Sequence, residues 1–373
     1  MSIRSTKSRI AIATLAALVV ASLCVPSLAL AVVRVDQTEL AQGENAVGGG
    51  TAKLVDTALE MSNVTAIDLY TDQDLIVDFK GGNDIENVNV AGSANVELGF
   101  SGKNEVEEVH ASENSNVTIN ANGLNDFEEV TAQDQSNLTI NVTGENEFEE
   151  IVGTDDANIT IRGTDCQKKD EIELGDDEED TGISTERGSL TIDHVTIEIE
   201  AKEAVIGSDE GDVVIDTSKI EGDDDNKYTL VKAGGKMDIV ESVIEITGTV
   251  YSKGKMTIRH SDVEVEAPDS EYADGYPYRV MSATGIELID EENGEVKEAD
   301  TEDGKVYYVD TDDGEDVDLE ADGDPAYYKC KGKGKSIPGT GDSSNPIQSA
   351  GAAFTGGAIA IGLALALRRR EDA

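Results

Sequence analysis

Asn95-Val96-Glu97-Leu98, Asn116-Val117-Thr118-Ile119, Asn137-Leu138-Thr139-Ile140 and Asn158-Ile159-Thr160-Ile161 each begin 21 residues after the one before. A second set keeps the same step: Asn83-Asp84-Ile85-Glu86-Asn87-Val88, Asn104-Glu105-Val106-Glu107-Glu108-Val109, Asn125-Asp126-Phe127-Glu128-Glu129-Val130 and Asn146-Glu147-Phe148-Glu149-Glu150-Ile151. Asp74-Leu75-Ile76-Val77 and Asn63-Val64-Thr65-Ala66-Ile67 carry the two registers one step back. A fixed period in the twenties marks stacked units, none of which can bury its apolar face alone. Within a unit Val117 and Ile119 point one way and Thr118 the other, the period of a strand. Phe127 and Val130 are separated by two residues, which predicts a short strand or a bend. Gly, Asn and Asp mark the joints. No window carries apolar residues at helical spacing over several turns.

Beyond Asp165 the period loosens. Gly188-Ser189-Leu190-Thr191-Ile192, Gly211-Asp212-Val213-Val214-Ile215, Gly235-Lys236-Met237-Asp238-Ile239 and Gly254-Lys255-Met256-Thr257-Ile258 follow one another at 23, 24 and 19 residues. Unequal coils around a constant strand core resemble the single-stranded right-handed parallel β-helix of pectate-lyase-like and adhesin solenoids. The resemblance is one of architecture, and it implies an all-β chain. Residues 51–267 then form the solenoid, after an N-terminal segment at 32–50. There is room for roughly ten coils at about 4.8 Å each, a rod on the order of 50 Å. The run Asp176-Asp177-Glu178-Glu179-Asp180 is expected to protrude from it. Residues 268–328 are expected to form a small acidic β cap over the open last coil, with Glu292-Asn293-Gly294-Glu295 as a hairpin turn. Residues 329–349 read as a flexible spacer.

The two ends of the chain carry addresses. Arg4, Lys7 and Arg9 precede an apolar stretch from Ile10 to Val25, and Ala29-Leu30-Ala31 offers a small-x-small cleavage site. This predicts a secretory signal peptide over residues 1–31, helical in its apolar part and cut after Ala31. Leu23 before Cys24 is too large for a lipobox. At the other end stand Ile337-Pro338-Gly339-Thr340-Gly341, an apolar run over 350–367 long enough for a transmembrane helix, and a basic tail, 368–373, opening with Arg368-Arg369-Arg370. Pro338 keeps the pentapeptide extended, as an enzyme groove requires. These three parts in order resemble the sorting signal of Gram-positive wall-anchored proteins, Leu-Pro-x-Thr-Gly before an apolar helix and a basic tail. The resemblance implies a sortase that cleaves between Thr340 and Gly341 and joins the Thr340 carbonyl to a peptidoglycan amine. Pro338, Thr340 and Gly341 match the motif, and Gly339 takes its free position. Ile337 replaces the usual Leu with equal size and polarity, so the departure bears on which sortase reads it. The membrane is then met only through this anchor, before sorting.

Charge narrows the partners. The chain has 78 acidic and 29 basic residues. Three basic residues leave with each end and three acidic ones with the tail, so 75 face 23 in the mature chain, a net charge of −52. Such a surface repels nucleic acid and attracts cations and basic partners. Cys166 and Cys330 remain in an oxidising compartment, 164 residues apart, and read as two isolated thiols rather than a staple. No Cys-x-x-Cys or His pair offers a zinc site.

The polar candidates follow the repeat. The Asn ladder at 95, 116, 137 and 158 is expected to tie coils together. Glu107-Glu108, Glu128-Glu129 and Glu149-Glu150 stack at the same step, and calcium is the expected counter-ion of that stripe, set against a merely solvated acidic face. Asp316 to Asp324 half resembles a calcium loop but lacks its closing Glu. His110, His194 and His260 fall on different coils, the last two at equivalent places with Thr217 and Glu241 between them. No Gly-x-Ser-x-Gly, His-Glu-x-x-His or phosphate loop is present. With no Trp and 4% aromatics, a sugar-stacking site has little to build on. The expectation is a non-enzymatic adhesin or ligand-binding stalk for a host or glycan ligand. The alternative is a polysaccharide-binding or polysaccharide-degrading β-helix.

Overall fold

The computed structural model describes residues 33–164, 170–175, 181–223, 226–268, 276–301, 304–310 and 316–329. Among them every regular element is a strand except the short helix Ala326–Lys329, and no helix is long and apolar enough to cross a membrane. The signal segment, the sorting signal, the membrane run, the acidic loop 176–180 and both remaining cysteines lie outside the described residues.

The chain winds a β-solenoid of about nine turns at a step near 21 residues, slightly fewer than the ten coils expected. Three strands, Asn95–Ala111, Asn116–Ala132 and Asn137–Gly153, each run 17 residues around a coil. They stack in parallel and in register, with Val96, Val117 and Leu138 aligned. Later coils break into three short strands, so three parallel faces can be followed separately. On the first face, Asn158–Gly163 is followed by Leu190–Asp193, Val213–Asp216, Met237–Val240, Lys255–Arg259 and Gly285–Ile289. The second begins at Asp170–Leu174 and the third at Thr181–Thr185. The parallel stack continues past residue 267, because Val280–Ser282 and Gly285–Ile289 still add to it.

Alternation builds the core. Val117 and Ile119 are buried while Thr118 faces out. Of the two alternatives, the Phe127/Val130 spacing is a bend and not a short strand of its own. The long strand passes straight through it, and Glu107 and Glu128 simply have no register partner on the neighbouring coil. A bend of one residue turns both apolar side chains inward. At the preceding corner Gly102, Gly123 and Gly144 stack with φ of +107°, +113° and +90°. A Cβ on Gly123 would come within 2.8 Å of the Gly102 carbonyl oxygen, so conformation and close approach both require glycine.

The phenylalanines show how volume is balanced across the core. Phe79 and Phe100 align with Ala121 and Val142 in the next coils, while Val106 aligns with Phe127 and Phe148. The large ring thus changes walls between one coil and the next, and the small residue changes with it. Phe100 meets Phe127 edge-on at 5.1 Å across that swap, and Phe127 stacks on Phe148 at 4.6 Å.

Both ends are closed by antiparallel strands. Val33–Val35 pairs with Ile67–Thr71, and Gly50–Val55 with Ala58–Ser62, the strand that starts the parallel stack. Residues 33–50 therefore belong to an N-terminal cap that sequence periodicity does not reveal. At the far end Val317–Leu319 covers Asp262–Glu266, and Gly304–Asp310 covers Val280–Ser282. A C-terminal β cap is thus present, but its hairpin joins Glu295–Thr301 to Gly304–Asp310. The turn expected at Glu292–Glu295 instead links two strands that are not paired, where Glu291 bridges to Ala321. The half calcium loop is a strand at its centre, with Val317 and Leu319 buried.

Candidate acidic faces

The longest polar feature is a column of carboxylates on the second face. Register places Asp84 beside Glu105, Asp126 and Glu147 in succession. Glu147 is followed by Glu173, Glu198, Glu221, Glu245 and Glu264. The capping strand then sets Asp318 opposite Glu264. Parallel strands repeat every 4.7–4.9 Å, so like charges face one another along the whole stack. Burial first, and then neighbouring carboxylates, push Asp126, Glu173 and Glu264 above the usual carboxylate range. Lys219, in the row beside the column, reaches across to it, in contact with Glu221 and 2.7 Å from Glu245. The periodicity that exposes this column was legible, but Asp and Glu alternate in it and a coil insertion shifts its spacing after Glu147.

Next to it, Glu107, Glu108, Glu128, Glu129, Glu149 and Glu150 do line one groove. Glu86, Asn87, Gly175 and Thr181 complete a space of about 380 Å³. The in-register part is short, running Asn87, Glu108, Glu129, Glu150 and ending at Gly182. Burial raises Glu128, helped by Glu107, Asp126 and Glu105; burial raises Glu150, helped by Glu129. Among the described residues no group of three or more His, Cys, Asp or Glu side chains is placed to hold a metal ion. The groove distributes its charge along a line instead of converging it on a centre.

The expected Asn ladder exists: Asn116 donates to Asn95 at 3.0 Å, Asn137 to Asn116 at 3.0 Å and Asn158 to Asn137 at 3.2 Å. It is exposed. A second, fully buried ladder was missed although its residues open every second-register repeat. Asn83 donates to Asn104 at 2.7 Å, Asn104 to Asn125 at 2.7 Å and Asn125 to Asn146 at 2.8 Å. The backbone N–H of Val64 closes one end on Asn83, and Asn146 closes the other on the Gly144 carbonyl.

In the later coils a hydroxyl ladder replaces it. Val195 N–H donates to Ser218, Ser218 N–H to Ser242 and Ser242 N–H to Ser261, at 3.1–3.3 Å. Ser261 N–H donates to the Glu291 carboxylate at 3.0 Å, which ends the series. Each rung follows a left-handed residue: His194, Thr217, Glu241, His260 and Asp290, with φ between 47° and 61°. The equivalence of His194 and His260 thus reflects a shared turn. His194 sits on Asp193, whose hydrogen bond raises its pKa, and His110 meets Thr131 at 2.7 Å. The histidines share no site.

One carboxyl pair shares Glu198 with the column. Burial, and then a hydrogen bond with Glu198, push Glu171 up to about 8. The pair lines a 280 Å³ pocket with Thr196, Lys219, Tyr327 and Tyr328. The sorting residues Ile337, Pro338, Thr340 and Gly341 and the signal residues Ala29 and Ala31 lie outside the described residues. Comparison of the chain with family models, with curated proteins and with solved structures finds no match.

Proposed function

We propose that this protein is a wall-anchored surface protein whose β-solenoid carries a linear acidic face outward as an adhesin or ligand-binding stalk. The observation that supports it is the uninterrupted carboxylate column from Asp84 to Glu264. A column of like charges destabilises the sheet that bears it. It suits a partner with cations at matching spacing, a basic extended chain or a basic surface, and binding would be sensitive to salt. In this reading the signal peptide, the sortase step at Thr340 and the right-handed winding are parts of one export and display route.

Two measurements test the two halves of the reading. Thr340→Ala is expected to move the protein out of the wall fraction; retention in the wall would overturn the anchoring. Host-matrix and glycan arrays probed at low and high salt are expected to give a salt-sensitive ligand, lost when Glu198, Glu221 and Glu245 become Gln. Binding that survives those changes would remove the column from the account. A second reading, turnover of a polysaccharide, is favoured only by the Glu171–Glu198 pair, since two coupled carboxyls are the minimum for glycosidic acid–base chemistry. Release of reducing ends that disappears in Glu171→Gln would support it.

A further inference from the structure

The chain does not leave the solenoid at its last coil. After the capping strand Val317–Leu319 it turns back along the left-handed turn column and ends, within the described residues, at the helix Ala326–Lys329. This strap is fastened rung by rung. Glu292 N–H donates to the Glu320 carbonyl at 2.8 Å and Asp322 N–H to the Asp290 carbonyl at 2.9 Å. Ala321 N–H donates to the Asp262 carboxylate at 3.0 Å. Ala326 N–H donates to Glu241 Oε2 at 2.7 Å, and the buried Tyr327 reaches Thr196 with its hydroxyl at 2.9 Å. Thr196 lies several coils back from the cap.

At the centre of the strap is His260. Its Nε2 is 3.0 Å from the Gly323 carbonyl on the strap, and its Nδ1 is 3.1 Å from Glu241 Oε2, the oxygen that also holds Ala326 N–H. A carbonyl and a carboxylate can only accept. A neutral imidazole has one N–H and can serve one of them, whereas an imidazolium serves both. The neighbouring coil adds a second titrating group. Glu291 takes Ser261 N–H on one oxygen, its other oxygen is buried without a hydrogen-bond partner, and its backbone bridges to Ala321 of the strap.

We infer that the segment 316–329 is a proton-dependent latch, closed when His260 and Glu291 carry protons and loosened when they lose them. Glu241 touches His260 from the turn before it, and Glu291, which feels Asp262 and Asp290, also feels His260 from the next coil. Arg259 lies beside Glu287. Burial pushes Glu291 up to about 7, so it gains and loses its proton around neutrality. A protonated His260 lowers Glu291, so the two protons partly compete, although each favours the closed strap. A proton-holding group of raised pKa stabilises the closed strap at low pH and loses that effect as pH rises towards and through its folded value.

Amide hydrogen exchange on the full-length chain tests this. The N–H groups of Ala321, Asp322, Ala326 and Tyr327 are compared with core amides such as Ile239 and Ile258, each relative to its intrinsic rate. Between about pH 5.5 and 8.5 the strap is expected to lose about tenfold more protection than the core, the scale of one hydrogen bond to a charged group. His260→Asn accepts the left-handed turn and cannot titrate, and Glu291→Gln keeps an acceptor for Ser261. Each is expected to shrink the pH response, and the double variant to abolish it. A strap that follows the core at every pH in the unaltered protein would overturn the inference. So would a full response in the double variant.

Discussion

Asn125 has a neighbour above and a neighbour below, and each of its amide atoms is committed to one of them. Replacing it with Ala strands the Asn104 amide nitrogen and the Asn146 oxygen inside the solenoid. Each unmet group costs about 1–3 kcal/mol, so Asn125→Ala is expected to lower the urea midpoint far more than Asn137→Ala on the exposed ladder. Paired denaturation curves decide this, and equal losses would refute the distinction. Gly123→Ala is expected to be worse than an ordinary surface Gly→Ala change, because the added carbon meets the Gly102 backbone 2.8 Å away at a φ of +113°. At this scale the sequence was only partly readable. The period announced both Asn series, but periodicity says which residues align and not which side of the wall they occupy. Asn116 and Asn125 have the same step and opposite burial.

The strand and its coil are where sequence reading worked best, because the strand period of two and the coil period of 21 are both carried by the same apolar residues. Leu98, Ile119, Ile140 and Ile161 were predicted inward and are fully buried. The failures were local. Asn293-Gly294 looks like a hairpin turn, yet tertiary packing puts Gly294 against Leu319 and Leu288 and leaves the flanking strands unpaired. The N-terminal cap has no repeat to betray it. The exchange of Phe between walls gives a prediction for coils as units. Phe127→Ala should cost about 3–5 kcal/mol as a cavity, read as a loss of thermal stability. Adding Ala121→Phe, which imitates the arrangement at Phe79 and Phe100, should recover part of that loss. Simple additivity of the two changes would show that the walls do not share volume.

For the whole molecule, charge and pH are linked. Burial and neighbouring carboxylates raise Glu171 to about 8 and Glu291 to about 7, and push several members of the acidic column upward. A carboxyl whose folded pKa lies above its unfolded one favours folding while protonated, and that contribution is lost as pH rises from about 4.5 towards the folded value. Stability is therefore expected to rise as pH falls from about 8 to 5, the reverse of a protein held by ion pairs. Urea midpoints across that range check it, and a maximum at pH 8 would contradict it. Added salt should narrow the difference by screening the column.

The antiparallel closures at both ends have a consequence for descent. Among the described residues the strands of neither cap pair with the central coils Asn95–Ala111, Asn116–Ala132 and Asn137–Gly153, which pair with one another in register. Inserting or deleting one 21-residue unit between such register-equivalent stretches would add or drop a whole coil while both lids stay in place. Lineages of this gene can then drift in reach by whole steps without passing through an unfoldable intermediate.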